Sequence, residues 1–353
     1  QNLQNLQNLG AASASLPGLL TARDGMLPGT WGQPATPPDR PFGAPENLAA
    51  WPEASQRAIL TAEVLSRLSF GHDTDTVRVF LSTFTGLNTE QPAAAISPLA
   101  SLTAPTPPDF AHQAEVVYNY ADLRPDRIAE IADQLGGLLP YFASVCGFEP
   151  GRMPLTLKLL TLAQDCAVFV AQQCKHRLAC RRPDALSPLI QPMISTPGHG
   201  SLPSGHATEA FATAETLRRL IPDALKTKAK DDGTRETDTQ LMHVAARIAV
   251  NRTVAGVHFP ADSFAGALLG LTVADAVAAR AGADVPNSFA AFDGRGIGRE
   301  DFYLSRIWQS GTRHNYATDE GSQITRFVTG GLQTDRSDLL QHLWSGAQEE
   351  WLL

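Results

Sequence analysis

One stretch constrains this chain more than any other: FAGALLGLTVADAV, from Phe264 to Val277. As a helix it would be apolar on every side, with Asp275 its only charge, and it is rich in Ala and Gly. A helix without a polar face has to be enclosed by other elements. The composition agrees. Of 353 residues 43% are hydrophobic, enough to bury a sizeable core, and only 18% are charged, which suits Ala-rich helices packed tightly. Strand signals are few and short. The expected fold is all-α, a helical bundle core with long irregular connections. No uncharged apolar run reaches the roughly 20 residues of a bilayer span, so no transmembrane segment is expected.

Residues 1–45 open on QNLQNLQNL, are rich in Gly and Pro, and lack periodicity. They read as an extended arm, and residues 46–353 as a single α-helical domain. Leu60, Val64 and Leu68, spaced by four, predict a helix over 46–70. A second is expected from a cap at Asp109 to about Leu135. A third starts at Pro154 and carries Leu155, Leu159, Ala163, Cys166, Ala167 and Val170 on one face to about Cys174. Others begin near Ser204, run from about Leu241 to Asn251 and from about Pro260 to Arg280, and cover 336–351, where Trp344 and Trp351 pack. The Pro-rich stretch 91–108 reads as a linker and 222–240 as an exposed loop.

Cys146, Cys166, Cys174 and Cys180 show no CxxC spacing, which argues against zinc and fits buried thiols. One disulfide stays open if the protein is exported. The start at Gln1 suits a processed product, and a periplasmic or secreted location is expected. The net charge of -8 excludes general nucleic-acid binding, so any bound anion needs a local basic pocket.

Three segments could build one. KHRLACRRP, residues 175–183, is densely basic. Read alone it is a solvated charge run, but Lys175 and Arg182, seven apart, would share a face on a continuing helix and clamp a tetrahedral oxyanion. GHGSLPSGHATEAF, residues 198–211, places Ser204 as an N-cap and Gly205 where an anion could approach the first amides of a helix. His206 in that first turn is either a surface histidine or a general acid/base. NRTVAGVHFPAD, residues 251–262, adds Arg252, then His258 and, four residues on, Asp262. If that stretch is helical, Asp262 can accept the imidazole N–H and leave the other ring nitrogen free; a structural ion pair is the other reading. Together these groups carry more positive potential than a fold buries without an anion.

The pattern Lys175-x6-Arg182-Pro183, Pro203-Ser204-Gly205-His206, Arg252-x5-His258-x3-Asp262 resembles the type 2 phosphatidic acid phosphatases and the vanadium-dependent haloperoxidases. The resemblance covers residues 150–285 and departs from the family at Asn251, where many members have Ser. It implies an all-helical fold with a four-helix-bundle core. It also implies that Lys175, Arg182, Ser204, Gly205 and Arg252 hold the equatorial oxygens, that His258 bonds the central phosphorus or vanadium, that Asp262 orients His258, and that His206 is the apical acid/base. Two activities follow from it. A haloperoxidase would keep vanadate on His258 as cofactor and use hydrogen peroxide to oxidise a halide, bromide by preference, that then halogenates a small organic substrate. A phosphatase would pass a phosphate monoester through a phosphohistidine and need no cofactor. His199, seven residues before His206, resembles a histidine of the algal and bacterial bromoperoxidases and tips the expectation to haloperoxidase. Gln172, where haloperoxidases have Trp or Arg, and the spacing from Lys175 to Arg182 point the other way. A binding protein without catalysis has no need of both His206 and His258. A homo-oligomer stays open.

Overall fold

The computed structural model describes residues 41–87, 89–226, 236–308, 323–332 and 334–352. The expected arm over 1–45 lies almost wholly outside the described residues, as does the middle of the expected 222–240 loop. Residues 43–353 pack as one unit.

Helix α1 (Glu53–Leu65) turns Leu60 and Val64 inward. The expected continuation to residue 70 stops at Ser66, and Leu68 instead opens β1 (Leu68–His72). Strand β2 (Thr76–Thr85) buries alternate residues Val77, Val79 and Leu81, the period of a half-buried strand. The supposed linker over 91–108 holds β3 (Ala93–Thr103). Its Pro98 has no N–H to give the ladder, and it sits where the pairing with β2 shifts register between Val79 and Phe80.

Helix α2 (Pro107–Asn119) is capped by Thr106, and Asp109 is the reciprocal partner that accepts the Thr106 N–H at 3.1 Å. The single helix expected to Leu135 breaks before Pro125. It resumes as α3 (Arg124–Asp133) and is followed by α4 (Leu139–Cys146). The bundle proper is α5 (Pro154–Leu178), α6 (Gly205–Leu220), α7 (Glu236–Val254) and α8 (Pro260–Arg280). Helix α6 packs on the other three. Every residue of α8 is buried, as its lack of a polar face demands. Gly266 brings α8 onto the start of α6: a Cβ there would lie 2.6 Å from the Ser204 carbonyl oxygen.

Strands β4 (Pro286–Asp293) and β5 (Ile324–Gly331) complete the sheet, and α9 (Asp338–Glu350) packs on α5 with Trp344 buried. The strand order is β1-β2-β3-β4-β5; β3 and β4 run parallel, the other neighbours antiparallel. The all-α expectation is therefore corrected: the molecule is 55% helical with a five-stranded mixed sheet, an α/β mixed fold. The strands lack a local signature because β3 has four Ala and a Pro among its eleven residues, β5 carries Gly, and β4 pairs with a strand almost two hundred residues earlier. Such pairing leaves no local periodic signal.

All four cysteines are free thiols, three of them buried. The expectation of no membrane span is qualified by two stretches that pass on length and hydropathy, Pro154–Leu186 and Pro260–Arg280; the second is enclosed entirely by protein.

Candidate functional site

The C-terminal ends of α5 and α7 and the N-terminal ends of α6 and α8 meet at one end of the bundle. Helix α5 stops at Leu178 because Ala179 turns left-handed, with φ of 48°. Lys175 and Arg182 therefore do not share a helix face, as a continuing helix would require. Lys175 lies in the last turn, and its Nζ donates to the carbonyl oxygens of Gly200 at 2.9 Å and Ser201 at 2.8 Å. Arg182 follows in extended backbone. Its guanidinium donates to the Val257 carbonyl at 2.8 Å and the His199 carbonyl at 3.1 Å, and Nη1 reaches His258 Nε2 at 3.3 Å. The two cations converge through the loop between α5 and α6.

Ser204 caps α6, and its own N–H donates to the Asp262 carbonyl at 2.9 Å, which ties the starts of α6 and α8 together. A Cβ added at Gly205 would meet protein only at Glu209 Oε1, 3.7 Å away; the remaining space above the helix start is open. That space suits an anion facing the helix dipole.

His258 precedes α8 rather than lying on it, yet its Nδ1 is 2.9 Å from Asp262 Oδ2. The same carboxylate oxygen accepts the Phe259 N–H at 3.0 Å and the Ser201 hydroxyl. With Nδ1–H given to Asp262, His258 Nε2 carries a lone pair, and the N–H of Arg182 points at it. Burial, then Lys175 and Arg182, holds the His258 pKa well below the usual histidine range, so the ring is neutral. Burial pushes Asp262 up to about 6, against the hydrogen bond from Ser201 and the charge of Lys175.

Arg252, at the end of α7, is 1% exposed. Its Nη2 donates to Gln134 Oε1 at 2.5 Å, while Nε and Nη1 have no hydrogen-bond partner. Burial draws its pKa down to about 10. Two orphaned, buried guanidinium donors are costly unless an acceptor meets them. A tetrahedral oxyanion would supply one, so phosphate and vanadate both fit the donor set. His206 is half-buried beside Arg252 and electrostatically senses His258. Burial, then Arg252, pushes its pKa down to about 3. Lys175 is likewise drawn down to about 7 by burial, against the pull of Asp262.

Hydrogen bonds thus link Lys175, Arg182, Ser204, His258 and Asp262, directly or through Ser201, with Gly205 next to Ser204, and His206 and Arg252 interact electrostatically with His258; we call this grouping the cup. Residues 155–282 match the PAP2 superfamily. The match is confined to that segment, which holds Lys175, Arg182, Ser204, Gly205, His206, Arg252, His258 and Asp262. Among solved structures, the chain is similar to the first transmembrane PAP2 type phosphatidylglycerolphosphate phosphatase from Bacillus subtilis, at 19% identity and a TM-score of 0.36, over 48% of this chain and 83% of that one. No curated protein matches the chain.

The preference for a haloperoxidase is corrected at this point. It rested on His199 lying near the apical position. His199 is exposed at the rim; its Nδ1 lies 3.2 Å from Arg182 Nη2, and the cations that perturb it are Lys175 and Arg182. It stands by the Arg182 wall, whereas His206 stands by Arg252. The superfamily match likewise gives no support to a haloperoxidase or to vanadium. Sequence reasoning also missed three polar residues. Ser201 binds Asp262, Gln134 binds Arg252, and Gln113 accepts the Ala261 N–H at 2.9 Å and so fixes the first turn of α8. Gln134 and Gln113 lie outside the PAP2 segment, and nothing in their local sequence distinguishes them from any helical Gln.

Proposed function

We propose that the chain is a phosphatase that hydrolyses phosphate monoesters through a phosphohistidine on His258. The observation that carries this reading is the oriented, neutral His258. Its Nδ1–H is committed to Asp262, its Nε2 lies 3.3 Å from Arg182 Nη1, and the ring feels the charge of Arg252, which has two unpaired donors.

In the first step the Nε2 lone pair attacks phosphorus in line with the leaving alkoxide. The N–P bond forms, the P–O bond to the alcohol breaks, and His206 gives its proton to the departing oxygen. His206 is neutral by itself, because burial and Arg252 favour the uncharged ring. A monoester monoanion brings that proton in, and its negative charge offsets the cations that depress the ring. Arg182, Arg252, Lys175 and the α6 amides neutralise the charge on the three equatorial oxygens. Asp262 stabilises the positive charge on phosphorylated His258. In the second step neutral His206 takes a proton from water. The water oxygen then bonds to phosphorus, the P–N electron pair returns to His258 Nε2, and orthophosphate leaves with the proton that His206 took from water, so that both histidines are neutral again.

Orthovanadate, which adopts five-coordination as a stable ground state, should occupy the same donors and inhibit competitively. The test is a paired assay on the purified protein. p-Nitrophenyl phosphate hydrolysis is followed without vanadate, and bromination of a phenol dye is followed with vanadate, peroxide and bromide. Hydrolysis blocked by vanadate is the expected result. Bromination without measurable hydrolysis overturns the reading.

A further inference from the structure

Gln134 terminates α3, outside the PAP2 segment, and is 1% exposed. Its side-chain oxygen accepts from Arg252 Nη2 at 2.5 Å and from Asn251 Nδ2 at 3.2 Å. Its side-chain nitrogen donates to Glu130 Oε1 at 3.2 Å. One amide thus joins Arg252 to the Glu130 carboxylate, and the Gln134 backbone favours the protonated form of the His206 ring. Behind it, Glu130 pairs with the half-exposed Arg247 at 2.6 Å and accepts from Asn251 at 2.8 Å.

The chemistry of this contact is informative. A buried arginine is ordinarily met by a carboxylate in a bidentate pair. Here the acceptor is a neutral amide. Among the described residues no carboxylate lies within ion-pair distance of Arg252, and Glu130 is held one amide further off. The other charged or titratable groups that interact with Arg252 are His206, His258 and Tyr141. A carboxylate at position 134 would cancel the Arg252 charge, compete with an entering anion, and place a second negative charge beside His206.

We propose that Gln134 is a positioning residue: its neutral amide aims Arg252 into the cup and, by standing between Arg252 and the Glu130 carboxylate, reserves the arginine's charge for the bound oxyanion. This rests on the phosphatase reading only in needing the cup to bind an oxyanion.

The test uses sulfate, orthophosphate and orthovanadate binding by calorimetry, with thermal unfolding in parallel. The variants are Q134E, E130Q and the swap E130Q/Q134E. The swap leaves the net charge unchanged and moves one carboxylate from Glu130 to position 134. It also removes the repulsion that could stop Q134E from folding. Relative to E130Q alone, the swap should bind each anion at least about tenfold more weakly, the scale of one charged hydrogen bond. KM for p-nitrophenyl phosphate should rise in parallel, and Tm should be unchanged or higher because an ion pair has formed. A merely structural Gln134 predicts equal binding, so swap affinity within twofold of E130Q overturns the proposal. A wild-type protein that binds none of the three anions overturns the phosphatase reading instead.

Discussion

Gly266 offers a sharp test of how the bundle sets the site. A Cβ at this position would stand 2.6 Å from the Ser204 carbonyl oxygen and 2.9 Å from Ala207 Cβ, where ordinary contact begins at 3.4 Å. Neither neighbour can rotate away, since one is backbone and the other a Cβ. In Gly266→Ala the helices α6 and α8 must therefore part by about 0.8 Å at this crossing. Overpacking of this kind costs about 1–3 kcal/mol, and the better helix propensity of Ala returns about 1 kcal/mol. A net loss near 1 kcal/mol lowers Tm by only about 1–2 °C in a chain of this size. Activity should suffer far more. The start of α6 carries Ser204 and His206, and the start of α8 carries Asp262, which holds His258. Separating them misplaces the acid from the nucleophile, and a misplacement of about 1 Å costs roughly 100-fold in rate. The measurement is kcat/KM for p-nitrophenyl phosphate beside Tm from differential scanning fluorimetry. A variant with near-native kcat/KM, or a raised Tm, would show that the glycine does not set the spacing of the two walls.

Three further outcomes are expected. Asp262→Asn places an amide where one oxygen takes three donors, from His258, Phe259 and Ser201; kcat should fall roughly 100-fold or more as His258 loses its tautomer, and a kcat within threefold of wild type refutes that role. Arg182→Lys replaces a guanidinium shared among Val257, His199 and His258 by a single nitrogen, so KM should rise at least about tenfold, measured by steady-state hydrolysis. Sulfate, a dianion across the working range, should bind more weakly as pH rises above about 7. Lys175 is drawn down to about 7 by burial, an anion beside it raises that value, and binding must then take up a proton; calorimetry showing flat affinity from pH 6 to 9 contradicts this.

Much of the site is legible in the chain because its chemistry is carried by short local signals. Ser204 before an apolar helix reads as a cap, and His258 and Asp262, four apart, read as a hydrogen-bonded pair. The two cations were read in the wrong geometry. Ala179 in the left-handed region has no sequence signature, and it turns the chain so that Arg182 approaches His258 from extended backbone. Histidine 199 was over-weighted because spacing along a chain does not say which wall of a cup a loop residue joins. Gln134 has no local signature for a related reason: its contact with Arg252 spans more than a hundred residues of sequence.

The amino-acid order alone decided that Phe264–Val277 is enclosed, since a helix apolar on all sides has nowhere else to go, and that Lys175, Arg182, Arg252 and two histidines want an anion. Tertiary structure decided what encloses that helix and where the charges meet. The five-stranded sheet joins segments from both halves of the chain, and at Gly266 helix α8 comes against the start of α6. Long-range pairing and close approach depend on which surfaces find each other in space, and local propensity carries no record of that.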